Sequence, residues 1–575
     1  TSFEGDAFGR VKKVTYPGAR IEEFTYDGAG RLKTKKDRKG VTTTYTYDGL
    51  GRLKQKTYDN GAPAVNFTYD EVSTDHKGRL TTAANSTDTL TWTYNLAAEV
   101  KSEVSTFNVT NIGYLYEVAG NRQSSSLGGR TLTYDYDDDG KLWHLTWPTG
   151  TLTDTYTFDY DVADRRRSLA YPNGAVTTYT PDLLSRLDTV GTARAGSTLT
   201  SATYGYDAVG NRTSKTDQAR TRWDYQYDNL YRLSQVDETS WCRWCLPHPV
   251  EEYPGYDGVG NRRANATKPW TYSDRNELLS GPGTLTYDLN GNLASKTEGA
   301  DTWTYEWSVE NQLTRVVKNG AEVASFLYDP LGRRVQKIAG GLTRKFTYDG
   351  EDILREKIIG VGNLRYIHGP GIDEPLGFEN IATAAMTYYH ADGLGSIVKT
   401  TDSAGAVTLT RTYDSFGIPS DGATAAGYAY TAREWDPETG LYYYRARYYD
   451  PKIGRFISED PVGFTAGINF YAYVDNNPVN AIDPTGLKKC GCTKWETAWK
   501  AYGYKSFRDC VTNFLGVGTV VGMIPAAFTA CGKGPWGGAY ALTVGGLAAD
   551  YCGAKVCLEF TPCAYGQPCE ACYGQ

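Results

Sequence analysis

The sequence predicts an all-β protein made of repeated hairpins, followed by a small cysteine-rich segment of helical pattern. Three observations predict it. A short aromatic motif returns every 20 to 22 residues over much of the chain. Tyr (46) and Gly (63) are abundant while Met (2) and His (5) are scarce, a balance that suits turns and half-buried strands. After Leu487 the character changes, and nine of the 11 cysteines fall beyond it.

The first element, residues 1–360, carries the motif. Clear copies are FTYDGAGRL (Phe24 to Leu32), YTYDGLGRL (Tyr45 to Leu53), YGYDAVGNR (Tyr204 to Arg212), LTYDLNGNL (Leu285 to Leu293) and FLYDPLGRR (Phe326 to Arg334). The second Tyr falls at 26, 47 and 69, then at 287, 328 and 348, with Trp307 filling the gap. WTYNLAAEV (Trp92 to Val100) is a degenerate copy. Each copy reads as a hairpin. Tyr45 and Tyr47 share one strand face while Thr44 and Thr46 take the other. Asp48 and Gly49 begin the turn, Gly51 supplies a positive φ, and Arg52 and Leu53 restart the alternation. One hairpin cannot bury its apolar face alone, so copies must pair edge to edge into a long sheet. Composition leaves open whether that sheet curls into a spiral or runs as an open solenoid.

Two departures interrupt the pattern. The insertion SWCRWCLPHP (Ser240 to Pro249) stretches one Tyr–Tyr step from 227 to 256. Its Cys242 and Cys245 are spaced as a redox pair or half a metal site, but with no second such pair nearby a structural disulfide or loop tether is the preferred reading. His76, His144, His248, His368 and His390 are scattered and read as loop or core residues, so no metal site and no cofactor are expected.

Residues 361–487 remain hairpin material with different landmarks: RYIHGPGIDEPL (Arg365 to Leu376), YYHADGLGSI (Tyr388 to Ile397), TYDSFGIP (Thr412 to Pro419) and AREWDPETGLYYYRARYYDP (Ala432 to Pro451). They end in Arg445 to Leu487, RARYYDPKIGRFISEDPVGFTAGINFYAYVDNNPVNAIDPTGL. Taken alone, Asp460-Pro461 and Asp483-Pro484 are ordinary turn formers.

In their order, these landmarks and the upstream copies closely resemble the Rhs/YD-repeat family, which includes teneurins and the C components of bacterial Tc toxins. The resemblance implies that the strip spirals into a hollow shell with residues 361–487 as its plug. It also implies a single-turnover aspartyl autoprotease cutting the Leu487–Lys488 bond, with Arg447, Asp460 and Asp483 matching the family's catalytic motif. The chemistry suits these residue types. Two close carboxylates do not both ionise cheaply, so one holds a proton while the other activates water. Arg447 would hold one carboxylate ionised or steady the oxyanion.

The tail, residues 488–575, does not continue the repeat. Thr493 and Glu496 form a capping-box pattern, and Trp495, Trp499 and Tyr502 follow at helical spacing, which predicts a helix from there to about Phe514. No charged residue occurs from Cys510 to Gly532, nor from Gly534 to Ala549. Three readings stay open. In a disulfide-stapled small domain, the preferred one, Cys490, Cys492, Cys510, Cys531, Cys552, Cys557, Cys563, Cys569 and Cys572 supply the bridges, as Cys242 and Cys245 do upstream. A membrane hairpin would use the two apolar runs. A zinc site would draw on Cys490, Cys492, Cys569 and Cys572. The tail has no His, which excludes His-dependent catalysis there.

The net charge of −7, without a Lys/Arg block, argues against nucleic acid as a partner of the shell. The cysteine density points to an extracellular or cell-surface setting. No initiator Met or signal-peptide pattern precedes Thr1, so the chain reads as a fragment or processed product. The expected partners are the chain's own C-terminal segment as cargo, upstream domains or a capping protein, and a target membrane, surface protein or glycan. The leading expectation is a secreted encapsulation protein that frees its tail after Leu487. The rival is a non-cleaving structural or adhesive surface protein.

Overall fold

The structure is a computed structural model that describes residues 1–70, 77–149, 152–239, 248–263 and 270–487, with the backbone of Trp495–Thr497 and Lys555–Cys557. The Cys242–Cys245 insertion, every cysteine side chain and the apolar runs of the tail lie outside the described residues.

A 23-stranded sheet runs from Ser2–Gly5 to His248–Glu252, and a 15-stranded sheet from Thr271–Tyr272 to Val407–Thr410. Within each, every strand pairs antiparallel with its neighbours in sequence, as Thr42–Tyr47 does with Leu32–Lys36 and Leu53–Tyr58. The ladder crosses the boundary expected near residue 360 without a break: Asp352–Ile358 pairs with Gly362–His368. In the tail, Trp495–Thr497 is a strand paired with Lys555–Cys557. The helix expected from Thr493 therefore does not include those three residues. Local helical spacing there is overridden by pairing with a β-prone partner, Lys-Val-Cys.

The recurring motif is a set of linked contacts. Asp48 Oδ1 accepts the backbone N–H groups of Leu50 and Arg52 at 2.9 Å each, and its Oδ2 pairs with Arg52 Nε at 2.6 Å. The Arg52 guanidinium lies over the ring of Tyr69, the tyrosine of the next copy, at 4.3 Å. Tyr47 in turn donates its hydroxyl to Leu32 O, at the start of the previous copy's return strand, at 2.7 Å. The same links recur from Asp329 and Arg333 to the Tyr348 ring. Trp307, in the tyrosine position, makes the equivalent bond through its indole N–H to Leu293 O at 2.7 Å.

The pairing register also shifts at this tyrosine in copy after copy, at Tyr26, Tyr47, Tyr206, Tyr287 and Tyr328. A bulge bends its strand and increases the local twist. Repeated on the same side of each hairpin, it curls the strip.

The strip returns over itself. Arg275 Nη1 reaches Pro17 O, 258 positions away, at 2.9 Å. Asn85 Nδ2 meets Tyr328 O across 243 positions, Tyr171 Oη meets Tyr389 O across 218, and Lys215 meets Asp392 across 177. The contacts keep their order along both sheets while the separation shrinks, as in a spiral whose second turn narrows. Apolar side chains fill the seam: Trp147, Tyr156 and Phe158 pack with Ile367, Leu376 and Tyr388.

Candidate active site

After the second sheet, five short strands from Gly427–Tyr428 to Arg455–Phe456 form a separate small sheet within the segment expected to be the plug. Its centre is aromatic: Tyr430, Trp435, Tyr442, Tyr444, Tyr449, Phe456 and Tyr473 pack together, all buried. Consecutive tyrosines serve both faces here, for Tyr443 and Tyr448 face the apolar cluster of the second sheet instead. Strand Arg447–Asp450 is held to that sheet by a buried ion pair between Lys296 and Asp450 at 3.2 Å.

Arg447, Asp460 and Asp483 are brought together inside this plug. Arg447 Nη2 lies 2.9 Å from Asp460 Oδ2 and 3.4 Å from Asp483 Oδ2, so one nitrogen serves both carboxylates. Its Nη1 donates to Phe470 O at 2.9 Å and its Nε to Gly486 O. Phe470 O also accepts Asp460 N–H at 3.1 Å, which ties the two sequence regions to one carbonyl. The guanidinium lies 3.6 Å from the centre of the Phe456 ring, so one face of the cation is covered by π density. All three charged side chains are about 3% exposed.

The segment leading to Leu487 is gripped from both sides. Arg447 Nε holds Gly486 O, while Asp483 Oδ1 accepts Leu487 N–H at 3.2 Å. Thr485 O accepts Ala446 N–H at 3.1 Å. Gly486 has φ +69°, and a Cβ there would lie 2.2 Å from Tyr444 O, so the run must carry glycine at this point. Lys488 lies outside the described residues.

Burial dominates the electrostatics. It raises the Asp460 carboxyl above its ordinary range, against the pull of Arg447. It also lowers the Arg447 guanidinium, against the attraction of Asp460 and Asp483. One buried cation facing two carboxylates leaves an excess negative charge if both are ionised, and a proton on one of them relieves it.

Reading the sequence missed the supporting groups. Phe456 and Phe470 carry no chemical signature, and Phe470 acts only through its carbonyl. Glu459 gave a signal in principle, as a second carboxylate directly beside Asp460. His390 is buried, its pKa lowered to about 4 by burial, and its Nε2 meets Thr401 Oγ1 at 2.9 Å. His368 Nε2 lies 3.0 Å from Ile353 O. Among the described residues no group of His, Cys, Asp and Glu is arranged to hold a metal.

The family model described as teneurin YD-shell matches residues 182–479, more than half of the chain. The chain belongs to the Rhs/YD-repeat family. A second model of this family, RHS repeat, matches residues 26–63. The tRNA nuclease WapA of Bacillus subtilis (strain 168) is 32% identical over 260 residues, 41% of this chain and 11% of that protein. The double-stranded DNA deaminase toxin A of Burkholderia cenocepacia (strain H111) is 29% identical over 323 residues, 49% of this chain and 22% of that protein. The chain thus spans a small part of the length of these relatives. Among solved structures, TcdB2-TccC3 without its hypervariable C-terminal region matches with a TM-score of 0.71 at 20% identity, over 84% of this chain and 28% of that one. The Photorhabdus luminescens Tc holotoxin pore matches with a TM-score of 0.65 at 18% identity, over 85% and 28%. At such identities the likeness concerns the fold, a YD-repeat strip spiralling into a hollow shell.

Proposed function

We propose that this Rhs/YD-repeat chain encloses its own C-terminal segment and cuts itself once, between Leu487 and Lys488, inside the shell. The observation that carries this reading is the shared Arg447 nitrogen between Asp460 and Asp483, with the Gly486–Leu487 peptide held by Arg447 and Asp483. Asp460, whose carboxyl burial favours the protonated form, serves as the acid; Asp483 serves as the base. Asp483 takes a proton from water as the water oxygen adds to the Leu487 carbonyl carbon. Asp460 donates to the carbonyl oxygen; as the C–N bond breaks, the amine of Lys488 takes the proton held by Asp483 and one hydroxyl of the diol returns its proton to Asp460. The products are a Leu487 carboxyl and a free tail. Arg447, in contact with both carboxylates, orients the substrate strand through its Nε bond to Gly486 O.

Names among the relatives, a nuclease and a deaminase toxin, support a toxin-related role, in which the tail would be the cargo delivered outside the cell. The test is native gel filtration of the purified chain followed by denaturing electrophoresis and N-terminal sequencing. The expected result is one native peak that resolves on denaturation into two pieces, the smaller starting at Lys488. One intact chain would instead favour a non-cleaving structural surface protein.

A further inference from the structure

Asp460 follows a residue whose partner lies at the opposite end of the chain. The Glu459 carboxylate meets Arg38 in a two-pronged pair, Nη1 to Oε1 at 2.9 Å and Nη2 to Oε2 at 2.6 Å, across 421 positions. Arg38 sits in the turn Asp37–Gly40, between strands Leu32–Lys36 and Thr42–Tyr47 of the first turn of the spiral. Its side chain is 4% exposed and that of Glu459 11%. The ring of Tyr16 lies 4.6 Å from the guanidinium, and Glu22 Oε1 is 3.5 Å from its Nε.

The second turn of the spiral closes the same junction. Arg38 Nη2 also donates to Asn290 O, and Asn290 Nδ2 donates to Asp37 Oδ2 at 2.8 Å. Tyr471, from the plug, donates its hydroxyl to Gly291 O at 2.7 Å. A Cβ at Gly291 would fall 2.4 Å from Glu459 Oε1, so the backbone is drawn close against the carboxylate. Leu293 N–H meets Ile457 O at 2.8 Å, extending the contact along the plug. Burial raises the Glu459 carboxyl, and Arg38 opposes that rise; alone in this setting the carboxylate would be a costly buried charge.

The other two site residues have further anchors. Arg447 is on the strand tied to the second turn through Lys296, and the Asp483 loop follows Asn480, whose Oδ1 accepts Arg212 N–H at 2.7 Å. The site residues are therefore held at three places on the wound strip: Arg38, strand Leu293–Glu298, which touches both Ile457 and Asp450, and Arg212.

We infer that Arg38 is a positioning residue for the proposed self-cleavage: through Glu459 it fixes Asp460 against Arg447, so cleavage waits until the first turn has closed on the plug. This inference rests on the cleavage reading. A misplacement of the acid by about 1 Å is sufficient to cost one to two orders of magnitude in rate.

The test uses the full chain and four variants: Arg38→Gln, Glu459→Gln, the double variant, and Arg38→Lys. Two readouts are taken, the time course of cleavage after Leu487 by intact mass and hydrogen exchange of the 456–470 segment. Arg38→Gln and Glu459→Gln are expected to slow cleavage by about tenfold or more, with the double variant no slower than either. Arg38→Lys is expected to recover part of the rate, which general destabilisation would not allow. Both Gln variants should lose exchange protection in 456–470 while strand Leu342–Asp349 keeps it. Unchanged cleavage and unchanged protection in Arg38→Gln would overturn the inference. If the parent chain does not cut, the cleavage reading fails, and the exchange readout alone decides whether Arg38 orders the Asp460 segment.

Discussion

Arg447 is heavily used within the plug: one guanidinium joins two carboxylates, two backbone carbonyls and an aromatic ring. Its Nε bond to Gly486 O requires the chain to pass close to Tyr444 O with a left-handed φ, which a side chain at 486 would prevent. Gly486→Ala is therefore expected to abolish the break after Leu487 and to lower stability by about 1–3 kcal/mol, read by intact mass and by denaturant unfolding. Arg447, Asp460 and Asp483 were legible from the order of landmarks, and the fold brings their side chains into contact. What forces glycine at 486 was not legible, because Tyr444 O is a backbone atom on another strand and no sequence pattern encodes its approach.

Several hairpins are locked by an Asp–Arg pair within the turn and by an Arg–Tyr contact to the next, as at Asp48, Arg52 and Tyr69. Asp414 occupies the same turn position, accepting Phe416 N–H at 3.0 Å and Ile418 N–H at 2.7 Å, but Ile418 stands where the arginine would be. Glu251 lies close by instead, accepting Ser415 N–H at 3.0 Å. Burial first, and Glu251 second, push the Asp414 carboxyl up to about 7. A carboxyl raised in the fold binds a proton more tightly there than in the unfolded chain, so its contribution to stability is lost as pH rises through about 7. Asp414→Asn is expected to be more stable than the parent at pH 8 by about 2–3 kcal/mol and nearly equal to it below pH 4, measured by denaturant unfolding. The hairpins and the positive φ at Gly51 (+86°) were readable from the Tyr-Asp and glycine spacing. The coupling between copies was not, since it depends on which ring comes to lie beneath each arginine once strands pair. The expected helix start at Thr493 misled for a similar reason: a three-residue pairing with Lys555–Cys557 outweighs the capping pattern.

Across the whole molecule, the strip's recurring bulges and twist wind it so that partners 258 positions apart at the start are 177 apart near the end. Strip formation was legible in the period. The number of residues per turn was not, because the turns meet through bonds to backbone carbonyls, such as Asn85 to Tyr328 O, that any sequence would offer. The winding gathers the first turn, the second turn and the plug around Asp460, so two buried carboxylates lie beside the run that leads to Leu487. The measurement that bears most directly on this account is denaturing, reducing intact-mass analysis of the parent chain beside Asp460→Asn and Asp483→Asn. The account predicts two masses that divide after Leu487 in the parent and one undivided mass in each variant. A single undivided mass in all three, or the same division in all three, would contradict it.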